Sequence, residues 1–131
     1  SFQTDGMVIV PCSLRSVASI THGLADHLVH RAADVTLKEK RTLVVVAREI
    51  PLSTIHLENL LKLSQMGAIV LPPMPAFYNH PQSLNDMVDH IVMRILDQFH
   101  VTRDLVARWD GRMQKKIERI HSFDKNKLHS K

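Results

Sequence analysis

The sequence predicts an α/β domain, a parallel sheet with helices on its faces. Three observations carry that prediction. Residues 7–10, 42–47 and 68–71 are short, wholly apolar runs rich in β-branched residues, the pattern of strands covered on both faces. Between them lie stretches whose apolar positions recur at helical spacing. The links are short, so strand, helix and strand repeat as βαβ units, which forces parallel pairing and right-handed crossovers.

Each element has a local reason. The first strand reads as central, ends at Pro11, and hands over through Cys12 and Ser13 to a helix from Leu14 to Ile20 that His22 and Gly23 stop. A phosphate would fit that turn, where backbone N–H groups and the Ser13 and Ser16 hydroxyls converge; an ordinary turn capped by Ser13 is the simpler reading. From Asp26, a candidate N-cap, a second helix carries Leu28, Val29, Ala32, Ala33, Val35 and Leu37 on a wide apolar stripe, with His27, His30, Arg31 and Asp34 mostly opposite. It closes in Lys38, Glu39, Lys40 and Arg41, suited to a helix C-terminus. The second strand delivers Arg48 and Glu49 to the edge of the sheet where open α/β folds bind ligands, or else to an exposed ion pair.

Ser53 caps a third helix that Gly67 closes, with His56 in a solvated or capping role. After the third strand, residues 72–81 hold four prolines around Phe77 and Tyr78, a loop that is neither helix nor ladder and that presents the two rings in a fixed pose. Ser83 opens a long helix with apolar residues from Leu84 to Phe99 at helical spacing and Arg94 on its polar side. A last helix is expected from Asp104, with Val106, Trp109, Met113, Ile117 and Ile120 in a thin stripe. The α/β domain thus takes residues 1–100, and 101–131 form a carboxyl-terminal helix and basic tail.

Composition narrows the function classes. The net charge of +4 sits in the tail: residues 103–131 hold 9 Lys and Arg against 4 Asp and Glu, leaving 8 against 9 elsewhere. With no recognition module in view, nucleic-acid binding is not expected. No apolar run reaches the roughly 18 residues of a membrane span, and no signal peptide opens the chain, so a cytoplasmic protein is expected. Cys12 is the single cysteine, excluding an internal disulfide and leaving a reactive thiol open. The nine histidines lack the spacing of a metal site, and none is expected. Ser1 in place of Met, almost at the first strand, reads as a fragment, a processed product or a gene product whose earlier part is missing.

Several blocks together resemble the UbiX flavin prenyltransferases: Thr4-Asp5-Gly6-Met7-Val8-Ile9-Val10-Pro11-Cys12-Ser13, then Arg31-Ala32-Ala33-Asp34-Val35 with Leu37-Lys38-Glu39. Arg48-Glu49 with Pro51-Leu52, Ile55-His56-Leu57-Glu58-Asn59, and Pro72-Pro73-Met74-Pro75-Ala76-Phe77-Tyr78 follow in the family's order, out to about residue 109. The resemblance implies a flavodoxin-like or Rossmann-like fold lacking its amino-terminal strands, and a homo-oligomer, a dodecamer in the family. It also implies transfer of a dimethylallyl group from dimethylallyl phosphate to reduced FMN without a metal, the product serving a UbiD-type decarboxylase. By similarity, Ser13, Leu14, Arg15, Ser16 and Arg48 would bind FMN, and Glu49 would move protons. Tyr78 and Arg94 would hold dimethylallyl phosphate, with Lys38 reaching a neighbouring subunit's phosphate and Trp109 near that pocket.

The chemistry suits these residue types. Allylic C–O cleavage leaves negative charge on the departing phosphate, which Lys38, Arg94 and the Tyr78 hydroxyl would stabilise. Cys12-Ser13-Leu14-Arg15-Ser16 stands where many relatives carry Cys-Ser-Met-Lys-Thr, keeping charge and hydroxyl. The family's first strand and its Gly/Ser-rich phosphate loop have no counterpart before Ser1, which should expose an apolar sheet edge and face. Two other readings remain: a catalytically silent flavin-fold fragment, and a related flavin-dependent cysteine decarboxylase, which Pro75-Ala76-Phe77-Tyr78 with Arg94 disfavours.

Overall fold

The computed structural model describes residues 2–101. Its elements are β1 (Gly6–Cys12), α1 (Leu14–Thr21), α2 (Leu28–Lys38), β2 (Thr42–Ala47), α3 (Thr54–Gln65), β3 (Ile69–Val70), a single 3₁₀ turn (Phe77–Asn79) and α4 (Leu84–Asp97). The sheet is parallel with order β1-β2-β3, Gly6 opposite Thr42 and Val44 opposite Ile69. The α/β class and parallel pairing expected from the sequence are therefore what forms.

The pleat sorts the core into two layers. Leu43, Val45 and Ala47 of β2 point to one side and pack with Leu14, Val17 and Ile20 of α1, Ala33 of α2 and Leu63 of α3. Val44 and Val46 point to the other, where Ile95, Ile91 and Phe99 from α4 and the chain just after it meet Ile69 and Leu71. Three helices thus cover one face and α4 part of the other, with β2 in the middle and its Leu43–Val46 segment buried. Gly6 leaves no room for a side chain between the Phe99 ring and the Thr42 carbonyl.

Two expectations about β1 need correction. It lies at the edge of the sheet, not its centre, and its α4-side residues Val8 and Val10 stay 38% and 56% exposed because α4 sits over β2 and β3 instead. The apolar edge and face expected from the resemblance are thus present among the described residues. Nor does Pro11 end the strand: β1 runs on to Cys12 across a register irregularity between Ile9 and Cys12. A residue without an N–H is tolerated at a bulge on an edge strand.

The helix boundaries follow the expected caps with one exception. Ser13, Ser53 and Ser83 cap α1, α3 and α4 through their hydroxyls, and Ser53 and His56 form a reciprocal capping box in which His56 Nδ1 accepts the Ser53 N–H. Gly23 and Gly67 adopt φ +68° and +103° past the ends of α1 and α3. The exception is α2, capped by His27 rather than Asp26 and without a side-chain bond. In the proline-rich segment one 3₁₀ turn does form, over the three residues Phe77–Asn79 that contain no proline.

Candidate functional site

All three strands deliver their carboxyl ends to one edge, and the first two bring their loops into contact there. Ser13 Oγ accepts the Ser16 N–H at 3.1 Å and donates to Ser16 Oγ at 3.2 Å, a local consequence of Ser at the N-cap and three residues on. Across 35 residues of sequence, Glu49 Oε2 accepts the Leu14 N–H at 2.9 Å, and the Arg48 N–H reaches Cys12 O at 3.3 Å. The anion at this helix terminus is therefore Glu49 itself, where the sequence left room for a phosphate. A carboxylate held at the first turn of α1 takes up an orphan helix N–H and fixes the β2 exit against the β1–α1 turn. Glu49 Oε1 has no partner among the described residues.

His30 belongs to this cluster, although the helical pattern placed it on the polar side of α2. It is only 4% exposed, and its Nε2 lies 3.1 Å from Ser16 Oγ, while Nδ1 is buried without a partner. The His27 ring lies against it, centroids 3.6 Å apart and planes tilted by 34°. Burial, then the neighbouring His27, hold the His30 imidazole below its ordinary pKa. The signal for it was present: His30, Ala33 and Leu37 recur at i, i+3 and i+7, the inward row of the helix. Cys12 is fully buried with its thiol pushed up to about 11 by burial, which removes it as a nucleophile at neutral pH.

The other candidate side chains are exposed or come from other elements. Tyr78 follows the loop from β3, 63% exposed, its ring edge-on to His90 of α4 at 6.4 Å. Arg94 lies in the last turn of α4, exposed, and pairs with Asp97 at 3.3 Å. Lys38 closes α2 just before β2 begins, so it sits at the amino-terminal edge, the length of β2 away from Glu49. Trp109 lies outside the described residues. Arg15 and Arg48 are exposed. No group of three or more His, Cys, Asp or Glu able to hold a metal occurs among the described residues, and no described helix is long and apolar enough to cross a membrane.

Comparison with known proteins agrees with the fold. Residues 1–96 match the family model described as Flavoprotein. The flavin prenyltransferase LpdB of Lactiplantibacillus plantarum is 60% identical over 111 residues, 85% of this chain and 59% of its own length. A probable UbiX-like flavin prenyltransferase of Bacillus subtilis is likewise 60% identical, over 54% of its length. Among solved structures, a dodecameric FMN-dependent UbiX-like decarboxylase from Escherichia coli O157:H7 superposes with TM-score 0.81 at 59% identity, covering 84% of this chain and 60% of that one. AnUbiX, in complex with FMN and dimethylallyl pyrophosphate, does so with TM-score 0.84 at 49% identity, covering 86% and 60%. The chain spans between half and two-thirds of the length of these relatives, and within that span it belongs to the flavoprotein family, in its UbiX-like branch.

Proposed function

We propose that this chain carries the flavin- and prenyl-binding portion of a flavin prenyltransferase that transfers a dimethylallyl group from dimethylallyl phosphate to reduced FMN. The observation that carries the reading is the Leu14 N–H to Glu49 bond, which joins two motifs distant in sequence at the ligand edge of the sheet, in a chain 60% identical to flavin prenyltransferases. FMN fits the residues present. Half-buried hydroxyls on Ser13 and Ser16 and the exposed cations Arg15 and Arg48 suit a polar, anionic ligand, and the buried His30 imidazole backs Ser16 from within. Ser13, Leu14, Arg15, Ser16 and Arg48 would hold it. Reduced FMN supplies the nucleophilic ring system that receives the dimethylallyl group.

The remaining work falls to the chain's own side chains. Glu49 is anchored through Oε2, which leaves Oε1 to carry a proton to or from the reacting groups. Arg94 and Tyr78 bind and neutralise the departing phosphate. For Arg94 this means exchanging Asp97 for phosphate, a small cost, because an exposed pair of this kind contributes at most about 1 kcal/mol. Lys38, at the opposite edge, serves the phosphate of a neighbouring protomer, in keeping with the dodecameric relative. A UbiD-type decarboxylase would take the product.

The test is to supply the purified chain with reduced FMN and dimethylallyl phosphate under anaerobic conditions and to look for prenylated FMN by mass spectrometry. Product supports the reading. A second reading, a flavin-fold segment without catalysis, is favoured by the β1 edge left open among the described residues. No product, together with loss of flavin on gel filtration, would decide for it. Within the first reading, Arg94→Ala weakens dimethylallyl phosphate binding and spares FMN; equal loss of both contradicts the assignment of Arg94.

A further inference from the structure

We propose that His30 is a positioning residue that commits the Ser16 hydroxyl to donate a hydrogen bond to an acceptor atom of the bound flavin. The inference rests on the flavin reading above and concerns a residue that touches the ligand only through Ser16. Two hydrogen bonds converge on Ser16 Oγ: from Ser13 Oγ at 3.2 Å, and from or to His30 Nε2 at 3.1 Å. The direction of the second follows from the imidazole's other nitrogen. His30 Nδ1 is buried and has no partner. A buried orphan N–H is rarer and more costly than a buried orphan lone pair, so the proton sits on Nε2 and the bare nitrogen is Nδ1.

Nε2–H then donates to Ser16 Oγ. The serine oxygen has two lone pairs, and both are now filled, one by Ser13 O–H and one by His30 N–H. Its single hydrogen is left pointing out of the cluster. Ser16 is half-buried, so that hydrogen is reachable by a ligand at the strand ends, and the ligand atom it selects must be an acceptor, such as a carbonyl oxygen or an unprotonated ring nitrogen. A serine without His30 behind it could rotate and offer a lone pair instead. Burial and the adjacent His27 keep His30 neutral, which preserves the arrangement at physiological pH.

Two measurements test this. Nitrogen NMR of the histidine-labelled chain reads the tautomer directly: a proton on Nε2 is expected, and a proton on Nδ1 overturns the proposal with or without flavin. A double-mutant cycle on FMN affinity then reads the coupling. Ser16→Ala is expected to weaken FMN roughly three- to tenfold, the worth of one hydrogen bond. His30→Phe, which keeps a ring in the cavity, should weaken it by a similar or smaller factor, and the double variant no further than Ser16→Ala alone. Independent, multiplying effects, or a His30→Phe protein that melts as the parent does and binds FMN unchanged, overturn the role of His30 alone. Failure of the parent chain to bind FMN overturns the flavin reading and this proposal with it.

Discussion

Replacing Gly6 by alanine tests the packing at the root of the sheet. The added methyl group would lie 2.5 Å from the Thr42 carbonyl oxygen and 2.7 Å from Phe99 Cε1. Ordinary contacts begin near 3.5 Å, so each neighbour would have to retreat by about 1 Å. Thr42 cannot do so freely, because it is the residue opposite Gly6 in the β1–β2 ladder. Phe99 can swing, but only out of the cluster it makes with Val44, Val46 and Ile95. Overpacking of this kind costs about 2–3 kcal/mol, which for a chain of this size corresponds to a fall in Tm of roughly 10 °C. Thermal melts followed by circular dichroism would measure it. Gly67→Ala is the control, with nothing within 4 Å and only a positive φ to strain it. If the Phe99 ring is one of the two obstacles, adding Phe99→Leu to Gly6→Ala recovers part of the loss. A Gly6→Ala protein that melts within 1 °C of the parent refutes the close approach.

Three further outcomes are expected. The Cys12 thiol, fully buried and pushed up to about 11, should resist iodoacetamide at pH 7.5 in the native chain and react once urea unfolds it; rapid native labelling would contradict its burial. Because the His30 pKa is depressed on folding, its contribution to stability is complete above its unfolded value of about 6.5 and is lost as pH falls toward the folded one. The gap in Tm between the parent and His30→Phe should therefore shift against the parent between pH 7.5 and pH 5, and a shift the other way would show that His30 gains its proton on folding. Glu49→Gln keeps an oxygen for the Leu14 N–H and loses only the charge at the helix terminus, so it should lower Tm slightly and abolish prenyl transfer, whereas Glu49→Ala should lower Tm further and also abolish transfer; full turnover by the glutamine variant removes Glu49 from proton transfer.

How far the sequence could be read depended on the range of the forces involved. The segment from Ser53 to Gly67 was legible because its determinants are local: a serine cap, an apolar stripe and a glycine in left-handed backbone. The β-branched run at 42–47 was legible because burial on both faces leaves no polar position. The same rule misplaced β1, since an apolar run cannot say which strand takes the centre once the crossovers are drawn. Glu49 was read as a ligand-edge residue from its place after a buried strand, but its bond to Leu14 spans 35 residues and no periodicity encodes it. His30 was missed although its place on the inward row of α2 was legible; its bond to Ser16, on another helix, was not. Lys38 shows the reverse, a residue the family resemblance assigns to a phosphate that the single chain leaves at the far edge of the sheet.

The free side of β1 has a practical meaning for anyone handling the protein. Strand β2 satisfies one side of β1, and among the described residues nothing pairs with the other. The chain ahead of β1 is held beside the root of β2, with Arg41 donating to the Phe2 carbonyl at 2.9 Å. Any extended stretch that reaches the other side meets a row of unpaired N–H and C=O groups flanked by Val8 and Val10, and can zip onto that row. An amino-terminal affinity tag is for this reason not a passive handle on this molecule. A short tag rich in glycine and proline, or one removed by protease, keeps that row of groups free.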